Sequence, residues 1–402
     1  MVNPLTHNSF AEKVPESIDK EKVIHLASTL ISFHTNTYEG QAKMAEYCAA
    51  YMEGMGLEVE LQDVPMAKGM KSKQALGRIR GSGDGLSLIF CSHIEGGGPP
   101  RNPEQWTKKE GQVEDGWLYG LGGQKTGMAA MMVAAGAVNE ILDLKGDIII
   151  ACVVGEKAGG IGIQHMLNQG VTADMGVVAE DSDLELATVS VSGIFGRLHV
   201  QGSDMWDRPR GRIHPIGKMH KIINALGSFE TTPSWLTFKP HPDLPGYPLF
   251  NIPSIEGRGN TCTALFDCRI VPGQSEETVR RDLEKLLAKL KTDDPDLKAE
   301  LEMPAPGFMN RLPFEISRDE RIVQTVAKWH EYATKRKPVI GSGCRLGFAS
   351  DAIDLMHAGV KCLNYGPGGH PLPPPLADRR YSIEDIFAAA KVYALTAAEI
   401  CT

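Results

Sequence analysis

Leu86-Ser87-Leu88-Ile89-Phe90-Cys91-Ser92-His93-Ile94-Glu95-Gly96 is an apolar run that stops in a histidine and a glutamate. A glycine-rich turn at 81–85 precedes it, so residues 86–91 read as a buried strand that delivers polar groups at its end. In open α/β sheets, ligands collect at such strand ends. Two later stretches repeat the pattern: residues 147–154 lead into Gly155-Glu156-Lys157-Ala158-Gly159-Gly160, and residues 177–179 lead into Glu180-Asp181. Three strand ends carrying acids or a histidine predict a site at one edge of a sheet.

Helical periodicity surrounds these strands. Val23, Leu26, Ala27, Leu30 and Ile31 share one helix face, with Ser17 upstream as the expected N-cap. Met44, Tyr47, Cys48, Tyr51, Met52 and Met55 form a second stripe, and Leu57, Val59 and Leu61 then switch to a period of two. Thr126 is the expected cap of a small-residue helix over 127–142 that can pack closely on a sheet. From Val189 the texture changes to short period-two pairs, Val189 with Val191 and Leu198 with Val200. Helical stripes at 216–226 and from Val279 to Leu290 follow. That mixture predicts an α+β insert with an antiparallel sheet. After Glu302 the α/β pattern returns with a helix near 320–334, a strand at 360–364, Gly366-Pro367-Gly368-Gly369-His370, and a helix over 383–400 capped by Ser382. The expected fold class is α/β. A three-layer domain with a mostly parallel sheet, residues 1–188 and 304–402, is interrupted by an α+β lid and dimerisation domain, 189–303.

Composition excludes several functions. The chain has 402 residues, 42% hydrophobic and 23% charged, which rules out disordered and collagenous classes. A formal charge of −8 argues against a nucleic-acid partner. The small-or-apolar stretch 127–138 falls short of the roughly 18 residues of a membrane span, and residues 1–10 are polar, so no membrane partner and a cytoplasmic location are expected. Eight cysteines without a Cys-x-x-Cys pair read as scattered thiols. The stretch Gly120-Leu121-Gly122-Gly123-Gln124-Lys125-Thr126 is not a phosphate loop, because the residue before the lysine is Gln124. No G-x-S-x-G elbow exists, and Cys91 with His93 reads as two buried residues rather than a thiol–imidazole pair.

Ser92-His93-Ile94-Glu95, Asp115-Gly116 with Leu118-Tyr119-Gly120, Glu156-Lys157-Ala158-Gly159-Gly160 and Ala179-Glu180-Asp181-Ser182 occur in an informative order. They continue with Asn260, Asp267-Cys268-Arg269, Ser350-Asp351-Ala352 and Tyr365-Gly366-Pro367-Gly368. This succession resembles the aminoacylase, acetylornithine deacetylase and carboxypeptidase family of dinuclear-zinc amide hydrolases. The resemblance implies His93 as metal ligand, Glu95 as its orienter, Glu156 as general base and Glu180 as a further ligand. It implies Asn260, Arg269, Asp351, Gly366 and Gly368 on the substrate side, a small-molecule substrate, and a homodimer or higher homo-oligomer.

The departures from that pattern shape the expected chemistry. The family's bridging aspartate is replaced by the stretch Gly123-Gln124-Lys125, and its second glutamate by Lys157. The C-terminal ligand histidine falls at Pro374 or Pro375, with His370 nearby, and the insert's histidine falls at Met205 or Trp206. A charged lysine offers no lone pair to a metal. At most one divalent ion, Zn or Mn, is therefore expected, on His93, Glu180 or Asp181, and His370. The expected activity is hydrolysis of a C–N bond in a small carboxylate-bearing molecule, with Glu156 activating water and Lys125 and Lys157 beside it. The alternatives are metal-free transferase or lyase chemistry on Glu156 and Lys157, or a binding protein in which both lysines are exposed loop residues neutralising Glu156 and Glu180. Arg208, Arg210 and Arg212 read as a solvated charged turn.

Overall fold

The computed structural model describes residues 7–66, 69–96, 106–203, 213–227, 229–342, 349–371 and 379–402, without the side chains of residues 7–9, 370 and 371. The expectations for Met205, Trp206, Arg208, Arg210, Arg212, Pro374, Pro375 and the His370 side chain lie outside that description. Two compact units emerge, one running to Thr188 and resuming at Ile316, the other Val189–Glu315.

The first unit opens with helices α1 (His7–Ser17), α2 (Lys20–Ser32) and α3 (Tyr38–Gly54). Strands β1 (Glu58–Pro65), β2 (Lys71–Ile79), β3 (Leu88–His93), β4 (Val113–Glu114) and β5 (Trp117–Tyr119) follow. Then come α4 (Gln124–Ile141), β6 (Ile148–Val153), α5 (Ile161–Asn168), β7 (Met175–Val178) and β8 (Leu186–Ala187). The second unit holds β9 (Ser192–Gln201), α6 (Pro215–Leu226), β10 (Leu249–Arg258), β11 (Thr261–Ile270), α7 (Glu276–Asp293) and β12 (Lys298–Glu302). The chain then returns with α8 (Arg321–Thr334), β13 (Ile340–Gly341), α9 (Ala352–His357), β14 (Lys361–Asn364), β15 (Gly369–Pro371), β16 (Arg379–Ser382) and α10 (Ile383–Cys401).

The main sheet has the order β1-β2-β6-β3-β7-β14-β8-β13. Its centre, β6-β3-β7-β14, is parallel throughout, and the antiparallel pairs lie toward the edges. Every residue of β3 and β6 is buried, as continuous apolar runs in a covered parallel sheet require. Phe90 meets Tyr393 of α10 at 5.4 Å between ring centroids. Its neighbour Cys91, pointing the other way, feels the charges of Asp351 and Asp354 at the start of α9. Helices thus cover both faces, which makes the three layers. The expected strand over 86–91 begins two residues later, so His93 closes the strand itself.

Three local expectations are corrected. Asp19, not Ser17, caps α2, accepting from the N–H groups of Glu21 and Lys22, because Ser17 ends a preceding helix. That helix carries Phe10, Val14 and, just beyond it, Ile18 into the core. Helix α4 starts at Gln124 rather than 127, and the Thr126 hydroxyl donates to Gly123 O instead of capping.

The second unit is a four-stranded sheet of order β10-β11-β9-β12, antiparallel throughout. Ile194, Leu198, Phe250 and Phe266 pack with Met219, Ile222 and Leu283 from α6 and α7. The segment after Met303 stays with this unit: Ala305 N–H donates to Phe195 O at 2.9 Å and Asn310 Nδ2 to Glu276 Oε2 at 2.8 Å. The crossing back therefore falls at Glu315/Ile316, later than the expected 303/304. Among the described residues, no helix is long and apolar enough to cross a membrane.

Candidate active site

Because β6, β3 and β7 are neighbours in the sheet, their ends bring Glu156, His93 with Glu95, and Glu180 with Asp181 to one edge. His93 is 6% exposed and sits between two buried carboxylates. Its Nδ1 lies 3.5 Å from Glu95 Oε2 and its Nε2 lies 3.6 Å from Glu180 Oε1, both too long for a well-formed hydrogen bond. Neither His93 Nδ1 nor Glu95 Oε2 has a hydrogen-bond partner among the described residues. Burial pulls the imidazole pKa down, but the charge of Glu180, the contact with Glu95 and the charge of Glu156 outweigh it and hold it at about 10.

The turn bearing Glu156 is closed by its own backbone. Ala158 and Gly160 N–H donate to Gly155 O at 3.1 and 2.8 Å, and Gly159 N–H donates to Glu156 O at 3.0 Å. Glu156 is half-buried there, whereas Lys157 beside it is exposed.

Lys125 is not a surface residue. It is fully buried in the first turn of α4, where Nζ donates to Phe33 O at 2.8 Å. Burial drives its ammonium pKa down to about 8; Glu110 works against the fall and Lys157 adds to it. The carboxylate acting on Lys125 is thus Glu110, so the expectation that it neutralises Glu156 and Glu180 from an exposed loop is corrected. The early start of α4 explains this, since it carries position 125 inward. Gln124 has an equally definite place, its amide donating to Glu95 O.

At the end of β7, Asp181 Oδ1 accepts from Gly369 N–H at 2.6 Å. A Cβ on Gly366 would lie 2.2 Å from Glu180 O and one on Gly368 2.4 Å from Asp183 Oδ1, so both glycines serve the close approach of two loops. Beneath them Tyr365 is fixed by His330 Nδ1 at 2.9 Å and by Tyr393 OH, which donates to Tyr365 O at 2.5 Å. Asp351 is fully buried at the start of α9. Asn260 and Arg269 belong to the second unit, where Arg269 is bound to Asp267 at 2.8 Å and lies over the Phe195 ring. Cys91 is fully buried and burial pushes its thiol well up, which excludes it as a nucleophile. Sequence reasoning overlooked Gln74, fully buried on β2, whose Nε2 donates to Gly162 O at 3.1 Å just past the Glu156 turn. Gln74 follows Lys71, Ser72 and Lys73 in the sequence, so no local signal marked it.

A pair of metal ions does not fit these residues. The positions of a bridging acid and a second glutamate hold Gly123-Gln124-Lys125 and Lys157, and the side chains of Gln124 and Lys125 are spent on Glu95 O and Phe33 O. His93 Nε2 and Glu180 Oε1 have the separation of two ligands of one ion, roughly 3.3–3.6 Å for bonds near 2.1 Å. Among the described residues, however, no group of three or more His, Cys, Asp or Glu is arranged to hold a metal.

An interrupted α/β domain thus brings a histidine and acids together at three adjacent strand ends. Residues 92–399 match Peptidase family M20/M25/M40, and the chain belongs to that family of hydrolases. It is 27% identical over 399 residues to an N-formyl-4-amino-5-aminomethyl-2-methylpyrimidine deformylase of Bacillus subtilis, covering 90% of each chain. It is 24% identical over 329 residues to an acetylornithine deacetylase of Proteus mirabilis, covering 79% of this chain and 82% of the relative. Its fold is similar to that of the aminopeptidase PepT from Bacillus cereus, with a TM-score of 0.74 and 16% identity over 96% of this chain and 99% of the other.

Proposed function

We propose that this protein is an amide hydrolase that releases a small acyl group, formyl or acetyl, from a nitrogen of a small molecule, with Glu156 as general base. The observation that carries the reading is the place of Glu156. It follows β6 in a turn closed on itself, beside a histidine that feels its charge. In this reading Glu156 takes a proton from the attacking water and returns it to the departing nitrogen, so that an acid and an amine leave. The relatives named as a deformylase and an acetylornithine deacetylase support the acyl groups chosen. Exposed Lys157 and inward-turned Lys125 give no support to lysine-based transferase or lyase chemistry.

The test is amine release from a panel of N-formyl aromatic amines, N-formyl aminomethyl heterocycles and N-acetyl amino acids, the last carrying the expected carboxylate. The panel is run in chelator and with added Zn²⁺ or Mn²⁺. Saturable release from one class is expected. No release from any class under all three conditions overturns the reading.

A further inference from the structure

Glu95 faces two elements at once. Its Oε2 lies 3.5 Å from His93 Nδ1 at the end of β3, while its Oε1 accepts the backbone N–H of Gly155, two residues past the end of β6. The side chain starts from a fixed base: Glu95 is 6% exposed and its carbonyl oxygen is held by the Gln124 amide. The Glu156 turn is rigid within itself, because its N–H groups bond back to Gly155 O and Glu156 O. Its placement as a body is set by its two ends and by the Gln164 amide, which donates to Gly159 O at 3.1 Å. Glu95 holds the entry at Gly155 N–H, and Gln74 holds the exit at Gly162 O.

We infer that Glu95 is a positioning residue for Glu156 as well as for His93, and that glutamate rather than aspartate is needed because one carboxylate must reach both. The resemblance implied an aspartate there, with the longer acid its equivalent as an orienter. An aspartate is shorter by one carbon–carbon bond, about 1.5 Å, and would leave either His93 or Gly155 without the carboxylate. A carboxylate-to-backbone hydrogen bond is among the stronger protein contacts, and a displacement of about 1 Å in a reacting group lowers rates by as much as a hundredfold. The catalytic part of this inference rests on Glu156 being the base.

Two variants separate reach from charge. Glu95→Asp keeps the charge and loses the reach, whereas Glu95→Gln keeps the reach and an oxygen for Gly155 while losing the charge. Hydrogen exchange of the Gly155 amide reads the coupling without turnover, and kcat and KM on the amide found in the panel read its consequence. In Glu95→Asp, exchange is expected to quicken about tenfold or more, with kcat lower by roughly ten- to hundredfold and KM within about twofold. In Glu95→Gln, exchange stays within about twofold of wild type. Unchanged exchange in Glu95→Asp, or equal loosening in Glu95→Gln, overturns the inference. Should Glu95→Asp not fold, wild-type exchange decides: a Gly155 amide protected like those of β6 supports the coupling, and one exchanging as an open turn overturns it. Quickened exchange with unchanged kcat shows instead that Glu156 is not the base, which separates the two failures.

Discussion

Asp181 occupies the space that a side chain at position 123 would fill: a Cβ on Gly123 would lie 2.5 Å from Asp181 Oδ2. Where the resemblance implied a bridging acid, this chain offers Gly123, Gln124 and Lys125, and Asp181 from the end of β7 lies against the first of them. That carboxylate is tied to the segment after β14, its Oδ1 accepting from Gly369 N–H.

Gly123→Ala is expected to displace Asp181 and cost about 1–3 kcal/mol, read as a lowered thermal midpoint. In an Asp181→Gly background the cost should be smaller though not zero, since Tyr381 Cε1 would lie 2.8 Å from the same Cβ. An equal cost in both backgrounds would refute the packing relationship.

Lys125 gives the stability a pH dependence of known sign. Its pKa falls from 10.5 unfolded to about 8 folded, so between those values the unfolded chain holds a proton that the folded chain has released. The Lys125 contribution to stability therefore rises with pH through that window, opposite in sign to that of His93, and the burial penalty, an order-of-magnitude 3 kcal/mol, is fully present below about pH 8. Lys125→Met loses the bond to Phe33 O, yet should be more stable than wild type at pH 7, with a lead that shrinks toward pH 10. A lead that grows with pH in paired thermal melts would contradict this.

The donor set predicts at most one divalent ion per chain. Elemental mass spectrometry on protein purified without a histidine tag, after incubation with Zn²⁺ or Mn²⁺ and removal of free ion, should return one or fewer. Two per chain would show that Gln124, Lys125 or Lys157 gives way to ligands from elsewhere.

Sequence reading reached the strand ends because apolar runs that stop in His93, Glu156 and Glu180 carry a local signal, and the change to period two at Val189 marked the second unit. It failed where the answer was tertiary. Ser17 and Thr126 are good cap residues by type, but a preceding helix claimed one and an earlier start of α4 displaced the other. The first helix was overlooked although Phe10, Val14 and Ile18 share a face, because its exposed positions are polar and Pro15 lies inside it. Nothing local says that Lys125 is buried, that Glu95 spans two strand ends, or that Gly366 and Gly368 seat one loop on another. Those properties depend on contacts between residues far apart in the chain.

If Glu156 activates water, Glu156→Gln is the decisive variant, since the substitution removes the proton acceptor while keeping size and polarity. On the amide identified in the panel, kcat is expected to fall by roughly 10²–10⁴-fold, with substrate binding and the thermal midpoint nearly unchanged. A variant that retains kcat within about threefold of wild type would show that another group activates the water.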